Sequence, residues 1–288
     1  MPELAEVEFY RKQWDSGKNQ KITSVAVHAD KRIFRFTQPK QLRSKLIGER
    51  LLDSEARGKQ MLFRFSGNLW LGIHLGMTGK IWTAPADFRP DKHDHLVLFH
   101  KNGALVFADM RQFGLVRFDQ GPEPPEWWSS IAPAVTSREF TEERMNQFLR
   151  AHGKLPIKAA LLLQKGFPGV GNWMADEILW RAKLNPHLRG ADLKPTQSQA
   201  LFKKLVWVCR EAIRRIAADK KSPPRPRSLA QPGSEQKEAI ESFGDPPANW
   251  LFHQRWLRDG HCPRDKQRLV RETICGRTSA WCPKCQRR

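Results

Sequence analysis

The chain has 288 residues, which is enough for two domains that each bury a core. Its 50 Lys and Arg outnumber its 30 Asp and Glu, and the net charge of +20 predicts a polyanionic partner such as nucleic acid. No apolar run approaches the ~20 residues of a membrane-spanning helix. The acidic start MPELAEVE also lacks the basic and apolar stretches of a signal peptide. We therefore predict an intracellular protein, cytoplasmic or nucleoid-associated, without a membrane partner.

The N-terminal part of the chain predicts one helix followed by strands. A short amphipathic helix is expected from about Glu3 to Trp14. The apolar runs after it are separated by Gly, Asn and Asp turns, and several alternate apolar and polar residues, as strands with one solvated face do. These runs are ITSVAVHA, QMLFRF, LWLGIHL, DHLVLFH, GALVFADM and FGLVRF. We predict an N-terminal β-sandwich domain with a flanking helix over residues 1–119.

The rest of the chain predicts a linker, helices and a small terminal module. GPEPPEWW holds three prolines, so residues 120–136 are expected to be a linker without regular structure. The apolar period becomes helical over 137–219, and Thr136 with Glu139 predicts a capping box at the first helix. Residues 220–249 are basic and proline-rich, which predicts a mobile loop and a connecting helix. Residues 250–288 hold four of the five cysteines, which in a reducing compartment predicts a metal-binding hairpin. The fold class is therefore α+β with several domains.

Pro2 is a candidate nucleophile. Removal of Met1 would leave a secondary amine, and an α-amino group has a pKa of ~8 against ~10.4 for lysine, so about a tenth of it is unprotonated at neutral pH. Such an amine can attack a sugar C1′ and form an iminium. The adjacent Glu3 could move protons to and from the sugar. On these residues alone an ordinary amino terminus is the favoured interpretation, because many proteins begin with Met-Pro and a nearby Glu.

Five segments in order resemble the formamidopyrimidine-DNA glycosylase / endonuclease VIII family. They are MPELAEVE, HLGMTG at 74–79, DMRQFG at 109–114, FPGVGNWMADEILWRAKLNP at 167–186 and GRTSAWCPKC at 276–285. The resemblance implies a helix–two-turn–helix domain and a zinc-finger-like β-hairpin beside the β-sandwich. It also implies a monomeric bifunctional DNA glycosylase and AP lyase without a catalytic cofactor. Its partner would be double-stranded DNA with damaged bases or abasic sites.

The resemblance also implies roles for residues of the catalytic centre. Pro2 matches the family's nucleophile, Glu3 its general acid/base and Glu6 a second acid of the same helix. Lys59 matches a lysine that aids catalysis and binds phosphate. Without the other motifs, a solvated lysine at a strand edge would be preferred for Lys59.

Further residues match the family's contacts with DNA. Met77, Arg111 and Phe113 match the trio that fills the gap left by an extruded nucleotide, with apolar wedges and a hydrogen-bonding arginine. The alternative is that Met77 and Phe113 are core residues, although the flanking glycines favour exposed loops. The phosphate contacts implied by the resemblance are His74, Lys158, Asn172 and Arg277. The alternative for Arg277 is an ordinary exposed charge.

The metal site departs from the family pattern C-x2-C-x16-C-x2-C. The spacing gives Cys262, Asp265, Cys282 and Cys285, so the second ligand is a carboxylate. Structural zinc sites favour Cys and His, although carboxylates also bind zinc. Cys275 or His261 could replace Asp265 as the fourth ligand of one structural Zn²⁺. The last alternative is that no metal binds and the hairpin is held by packing.

The lesion preference and two other function classes stay open. Met77, Arg111 and Phe113 favour excision of oxidised purines such as 8-oxoguanine and formamidopyrimidine. Residues 220–249 do not resemble the loop of the purine-specific members, so oxidised pyrimidines remain an alternative. A non-catalytic DNA-binding protein could keep the same scaffold. A general basic nucleic-acid binder with an unrelated zinc finger is the third possibility.

Overall fold

The computed structural model describes residues 1–218 and 244–287. The chain divides into two compact units. The N-terminal unit is built on Met1–Ile131, and the C-terminal unit on Ala132–Ile216 together with the described residues from Asp245 onward. The domain boundaries given above remain predictions. The expected mobile loop falls on residues that lie, for the most part, outside the described ranges.

Two four-stranded antiparallel sheets form the N-terminal unit. One has the strand order β1-β6-β7-β5 and the other β2-β3-β4-β8. The strands are β1 (Ile22–Val27), β2 (Leu51–Arg57), β3 (Gln60–Phe65), β4 (Leu69–His74), β5 (Lys80–Ala84), β6 (Asp94–His100), β7 (Gly103–Ala108) and β8 (Leu115–Gln120). All six predicted strands are present, which confirms the β-rich N-terminal part.

Strands β2 and β5 and helix α2 of this unit were not predicted. Strands β2 and β5 each lie at the edge of a sheet, and in the polar run LLDSEAR of β2 only Leu51 is buried. Helix α2 (Pro39–Leu46) buries only Leu42 and Leu46. The strand β5 buries Ile81 and Trp82 but has only five residues, whereas β2 and α2 are mostly polar because much of their surface faces water. Their periodicity was therefore too weak to indicate them.

Helix α1 (Leu4–Gln13) confirms the predicted first helix. The residue that follows it packs against both sheets. This residue is Trp14, which is fully buried. The Trp14 ring lies 4.6 Å from the ring of Phe63 in β3, and its Nε1 donates a hydrogen bond of 3.2 Å to the carbonyl oxygen of Trp82 in β5. The beginning of the chain is thus fixed on a rigid base, which positions Pro2 just before the helix.

The expectation of no regular structure in 120–136 is wrong in part. Glu126–Ser129 form the short helix α3, and Pro125 lies just before it, where a missing N–H is tolerated. The Trp127 Nε1 donates to Asp119 Oδ2 at 2.9 Å, and Trp128 is buried against Leu62 and Trp70. These contacts of the two indole rings hold the segment in place. The three prolines alone did not indicate that the segment would be ordered.

The C-terminal unit consists of helices and one β-hairpin. Its elements are α4 (Glu142–Ala151), α5 (Ile157–Ala160), α6 (Asn172–Ala182), α7 (Pro195–Ile216), β9 (Val270–Ile274) and β10 (Arg277–Trp281). The predicted helical character and the hairpin are confirmed. Among the described residues, no helix is both long and apolar enough to cross a membrane.

The first helix of this unit begins five residues later than the capping box at Thr136 suggested. Its N-cap is Thr141, whose side chain accepts a hydrogen bond of 3.2 Å from the backbone N–H of Arg144. Phe140 precedes the cap, and Phe140 and Met145 are both buried at the positions of a hydrophobic staple. The matching positions around Thr136, Val135 and Phe140, are buried as well, so burial alone does not distinguish the two caps. The hydrogen bond from Arg144 to Thr141 marks the observed start.

Candidate active site and nucleic-acid interface

The two acidic residues proposed for catalysis, Glu3 and Glu6, lie at the start of α1, next to Pro2. Glu3 is the N-cap of the helix and is 5% exposed. Its backbone N–H donates to Glu6 Oε2 at 3.1 Å, and the two residues form a capping box. Both carboxylates therefore have defined positions at the positive end of the helix dipole. The sequence placed these residues on one helix, and the structure adds that they are partly or fully shielded from water.

Lys59 lies close to the beginning of the chain. It sits in the turn between β2 and β3, and its Nζ is 3.9 Å from the Met1 sulfur. Met1 is 57% exposed, and while it is attached the Pro2 nitrogen is an amide without a free lone pair for attack. Lys59 is therefore close to the beginning of the chain. If Pro2 attacks a sugar, the phosphates of that sugar must lie in the same place, and Lys59 supplies a positive charge there.

His74 is held neutral next to Lys59. Gln60, the residue after Lys59, pairs with His74 in the β3–β4 ladder. Burial, then the positive charges of Lys59 and Arg35, lower the pKa of His74 to about 4. Its Nδ1 accepts the backbone N–H of Gly76 at 3.0 Å, so Nε2 carries the hydrogen in the neutral ring. His74 can therefore donate one hydrogen bond from Nε2 at neutral pH.

Two loops of the N-terminal unit are joined by the buried carboxylate of Asp109. One loop follows β4 and carries Met77, and the other follows β7 and carries Arg111 and Phe113. Asp109 Oδ1 accepts from Thr78 Oγ1 at 2.6 Å, and its Oδ2 accepts from the backbone N–H of Gly114 at 2.7 Å. One side chain thus fixes both loops relative to each other. Sequence reasoning did not assign it a role, although it opens the motif DMRQFG.

The same loops touch at Gly76, whose φ is +61°. A Cβ atom at this position would lie 2.5 Å from the backbone nitrogen of Gly114, so only glycine fits. Met77 and Phe113 are each 44% exposed, and the guanidinium carbon of Arg111 lies 4.8 Å from the centre of the Phe113 ring. The alternative that Met77 and Phe113 are core residues is wrong. The three residues form an exposed cluster with two apolar members and one cation.

In the C-terminal unit, Asn172 and Arg277 lie next to each other. Asn172 is the first residue of α6, and its Nδ2 donates a hydrogen bond of 2.8 Å to the carbonyl oxygen of Thr278. Arg277 is exposed at the start of β10, immediately after the turn at Cys275 and Gly276. The N-terminal end of this eleven-residue helix thus contacts the strand that carries the exposed Arg277. Both features favour an anion.

Lys158 does not lie on that surface. Its side chain is fully buried, and its Nζ donates to the carbonyl oxygen of Asn172 at 2.7 Å and to Asp176 Oδ1 at 2.5 Å. This corrects the expectation that Lys158 contacts a phosphate, because an ammonium group without exposed surface cannot reach one. Lys158 instead ties α5 to the first turn of α6.

Asp176 is a central residue that the sequence analysis missed. Besides Lys158, it accepts two hydrogen bonds from Arg255, at 2.7 and 3.0 Å, one from Ser279 Oγ at 2.9 Å and one from the backbone N–H of Ala280 at 3.2 Å. Asp176 and Arg255 are 2% exposed. One carboxylate therefore joins α5, α6, β10 and the segment after α7. Two adjacent acids, Asp176 and Glu177, inside the largely apolar helix NWMADEIL were the signal that could have indicated it.

The four residues of the expected finger spacing do come together. One donor atom from each of Cys262, Asp265, Cys282 and Cys285 lies within 4.8 Å of all the others. The Cys262 and Cys285 sulfurs are 3.8 Å apart, and the Cys282 sulfur is 3.5 Å from either oxygen of Asp265. A tetrahedral zinc with bonds of ~2.3 Å to sulfur and ~2.0 Å to oxygen requires about these separations. The donor set therefore fits zinc.

The alternatives for the fourth ligand lie outside this cluster. Cys275 is exposed in the hairpin turn, and His261 is exposed beside Cys262 with no ring atom in the donor group. Asp265 occupies the fourth place because its oxygens point at the sulfurs, with Oδ2 3.0 Å from the Cys285 sulfur.

Comparison with known proteins agrees with this arrangement. Residues 1–116 match the model of the formamidopyrimidine-DNA glycosylase N-terminal domain, and residues 131–222 match that of the formamidopyrimidine-DNA glycosylase H2TH domain. The chain is 31% identical to the formamidopyrimidine-DNA glycosylase of Roseiflexus sp. and 32% identical to that of Carboxydothermus hydrogenoformans, with all of both proteins covered in each case. The chain belongs to the formamidopyrimidine-DNA glycosylase family.

Solved structures of family members have the same fold. A complex of the wild-type Lactococcus lactis protein with DNA containing an oxidised pyrimidine is 27% identical, covers 100% of both chains and has a TM-score of 0.83. The Lactococcus lactis enzyme bound non-covalently to DNA with an AP site is also 27% identical, with 99% of this chain covered, all of that chain covered and a TM-score of 0.80. The protein is therefore an enzyme of a DNA glycosylase family, and its partner is DNA.

Proposed function

We propose that this family member removes an oxidised base through the Pro2 amine and then cuts the strand at the resulting site. The observation that carries the proposal is the convergence of Pro2, two ordered carboxylates and Lys59 at the start of α1. An amine, a proton carrier and a phosphate-attracting cation are the groups that this chemistry requires.

The proposed reaction begins after Met1 has been removed. The Pro2 nitrogen attacks C1′, the bond from C1′ to the base breaks, and the base leaves with a proton. Opening of the sugar ring, with a proton delivered to its oxygen, gives an iminium between Pro2 and C1′. Glu3 is placed to transfer these protons because it is adjacent to Pro2 and fixed by the capping box. The iminium acidifies the C2′ hydrogen, so loss of that proton expels the phosphate at C3′. A second elimination releases the phosphate at C5′, and water then frees Pro2.

The exposed trio supports access to C1′. A glycosylase must take its target out of the base stack, which costs a few kcal/mol. Met77 and Phe113 present apolar surface that can fill the space left behind, and Arg111 can hydrogen-bond the unpaired opposite base. Because the buried Asp109 fixes both loops, the trio is ordered before DNA arrives, and this lowers the entropic cost of insertion.

Four residues are proposed to hold the phosphates: Lys59, His74, Asn172 and Arg277. His74 would donate from Nε2 as a neutral ring, Asn172 would use the amino end of α6, and Arg277 its exposed guanidinium. Lys158 is not proposed as a phosphate contact, because it is buried and positions Asn172 instead.

We propose oxidised purines as the preferred lesions and keep oxidised pyrimidines as the alternative. The trio of Met77, Arg111 and Phe113 favours the first. The solved relatives give support to both, since one complex holds formamidopyrimidine-dG DNA and another an oxidised pyrimidine. A nicking panel of duplexes with 8-oxoguanine, formamidopyrimidine, thymine glycol and dihydrouracil distinguishes the two by relative rate.

We also propose one structural zinc held by Cys262, Asp265, Cys282 and Cys285. The ion would fix the base of the hairpin that presents Arg277, and it would take no part in the reaction. The fit of the donor separations to tetrahedral coordination supports this proposal.

Borohydride trapping tests the proposed chemistry. Purified protein is first weighed by mass spectrometry to establish that Met1 is absent, and is then incubated with abasic or lesion duplex and borohydride. A covalent protein–DNA band is expected. The matched control carries one extra residue before Pro2, which converts the nitrogen to an amide and should abolish the band. Pro2→Gly is a poor control because a primary amine remains. Absence of trapping by the processed protein on both duplexes would refute the mechanism.

The second candidate is a non-catalytic DNA-binding protein on the same scaffold. The specific observation that would favour it is retention of Met1, because the Pro2 nitrogen is then an amide that cannot attack the sugar. The mass measurement therefore separates the two functions before any activity is measured.

A further inference from the structure

Among the described residues, nothing covers a groove on the outer face of helix α7. The groove measures about 360 Å³ and is lined by Phe202, Lys203, Val206, Trp207, Arg210, Glu211 and Arg214. The opposite face of α7 packs into the unit through Leu201, Leu205 and Val208. Pockets for small ligands measure roughly 300–1,000 Å³. A groove at the low end of that range accepts one or two large side chains.

The floor of the groove is apolar and already ordered. Trp207 is 43% exposed, although its ring lies 5.7 Å from that of Trp250. The guanidinium carbon of Arg181 lies 4.5 Å from the Trp207 ring and 4.8 Å from the Trp250 ring. Phe202 stacks on Phe140 at 6.1 Å. An exposed tryptophan held in one orientation loses little entropy when a partner covers it, and tryptophan is enriched among residues that dominate interfaces.

The rim of the groove is positively charged. Lys203, Arg210 and Arg214 face a single acid, Glu211, so two positive charges are in excess. Glu211 is satisfied by Arg214 at 2.5 Å and by Arg215 at 2.9 Å, and these arginines lower its pKa to about 2. Lys203 and Arg210 carry no ion pair among those found in the described residues. Arg210 Nη2 donates one hydrogen bond of 3.3 Å to the carbonyl oxygen of Thr136, and its remaining N–H groups and the Lys203 ammonium can pair with external carboxylates.

The groove lies away from the proposed phosphate contacts of the same unit. Trp207 contacts Arg181 near the end of α6, whereas Asn172 begins that helix. Nine residues separate Arg181 from Asn172, which corresponds to about 14 Å along the axis. The proposed DNA contacts of Asn172 and Arg277 therefore do not explain an apolar floor at this place.

We propose that this groove is a docking site for a short acidic segment of another protein, which inserts a large apolar side chain against Trp207 and pairs its carboxylates with Arg210 and Lys203. A second copy of the chain would be a poor occupant, because it brings a charge of +20 and the same cations. Nucleic acid would gain from the cations but would leave the apolar floor formed by Phe202 and Val206 without complementary side chains.

Peptide selection on the full-length protein tests the proposal. A phage library of random twelve-residue peptides is selected on the unaltered chain and counter-selected on Trp207→Ala, and the enriched peptides are resynthesised for fluorescence anisotropy. They should contain several Asp or Glu residues around a Trp, Phe or Leu. Their affinity should fall about tenfold or more in Trp207→Ala and in Arg210→Glu, as expected at the centre of an interface. The matched control is Trp256→Ala, since Trp256 is 55% exposed in the same unit and should change the affinity by less than about twofold.

Several outcomes would overturn the proposal. They are enrichment of basic or uncharged peptides, absence of any enriched motif, and affinity that neither Trp207→Ala nor Arg210→Glu changes. Competition by undamaged duplex DNA would assign the groove to nucleic acid. Displacement by a peptide of residues 234–243 would assign it to this chain itself. Arg210→Glu changes an exposed side chain, so it keeps the test decisive if Trp207→Ala folds poorly. Both variants should cut abasic DNA at the unaltered rate.

Discussion

Asp176→Asn removes the acid with which two buried cations of the C-terminal unit form ion pairs. The side chains of Lys158 and Arg255 are at most 1% exposed, and both form their ion pairs with Asp176. The substitution keeps the shape of the side chain but deletes its charge and replaces one acceptor oxygen by an amino group. Breaking a buried pair in this way costs about 3–5 kcal/mol, because a charge is left uncompensated away from water. The total free energy of unfolding of a domain is only about 5–15 kcal/mol.

Urea denaturation, followed by tryptophan fluorescence and far-UV circular dichroism, measures this loss. The matched control is Glu143→Gln, which removes an exposed acid paired with Arg150 at 3.3 Å, where both side chains are more than 60% exposed. Such a surface pair contributes about 0–1 kcal/mol. Adding Lys158→Met to Asp176→Asn should restore part of the stability, since one of the two uncompensated charges is then removed. A loss below about 1 kcal/mol for Asp176→Asn, or no recovery in the double variant, would refute the view that this carboxylate balances buried charge.

The remaining predictions concern the loops, the histidine and the metal site. Asp109→Asn should slow cutting of a lesion duplex by about tenfold, because an amide cannot accept from both Thr78 and Gly114 and each unpaired group costs about 1–3 kcal/mol; unchanged single-turnover rates would contradict this. His74 has a pKa of about 4 in the folded chain against 6.5 for the ordinary side chain, so the unfolded state binds more protons between these values. The stability that His74 contributes is complete above pH 6.5 and is lost as the pH falls towards 4. His74→Asn should therefore flatten the pH dependence of the free energy of unfolding in that window, and an identical slope in both proteins would rule the shift out. Zinc content measured by atomic emission should be kept in Asp265→Cys and reduced in Asp265→Ala, and equal zinc in all three proteins would exclude Asp265 as a ligand.

Some of the site could be predicted because its chemistry is local in sequence. Glu3 and Glu6 lie one turn apart on a helix that the apolar period already indicates, so their proximity to Pro2 follows from the geometry of that helix. The loops carrying Met77 and Phe113 are marked by glycines, which explains why their exposure was expected. The finger spacing likewise brought Cys262 and its partners together in the expected set of four.

Other features could not be predicted because they depend on contacts between distant residues. The sequence suggests that Lys158 is an exposed phosphate ligand. In the structure its ammonium group is buried and pairs with Asp176, eighteen positions later. Asp176 in turn meets Arg255 and Ser279, which lie 79 and 103 positions away. The helix starts at Thr141 rather than at Thr136, although an apolar residue is buried before each of them, so the capping pattern alone did not locate the start.

The sequence by itself determined which chemical groups this protein carries, in which order, and on which kind of local element they sit. It did so because backbone periodicity and turn chemistry depend on near neighbours. Only the tertiary structure decided which charges face water and which are buried. Lys158 is buried, Arg277 is exposed, and Trp207 is partly exposed beside cations. The physical reason is that the cost of burying a charge or exposing an aromatic ring is set by whatever packs against it, and those partners come from remote parts of the chain.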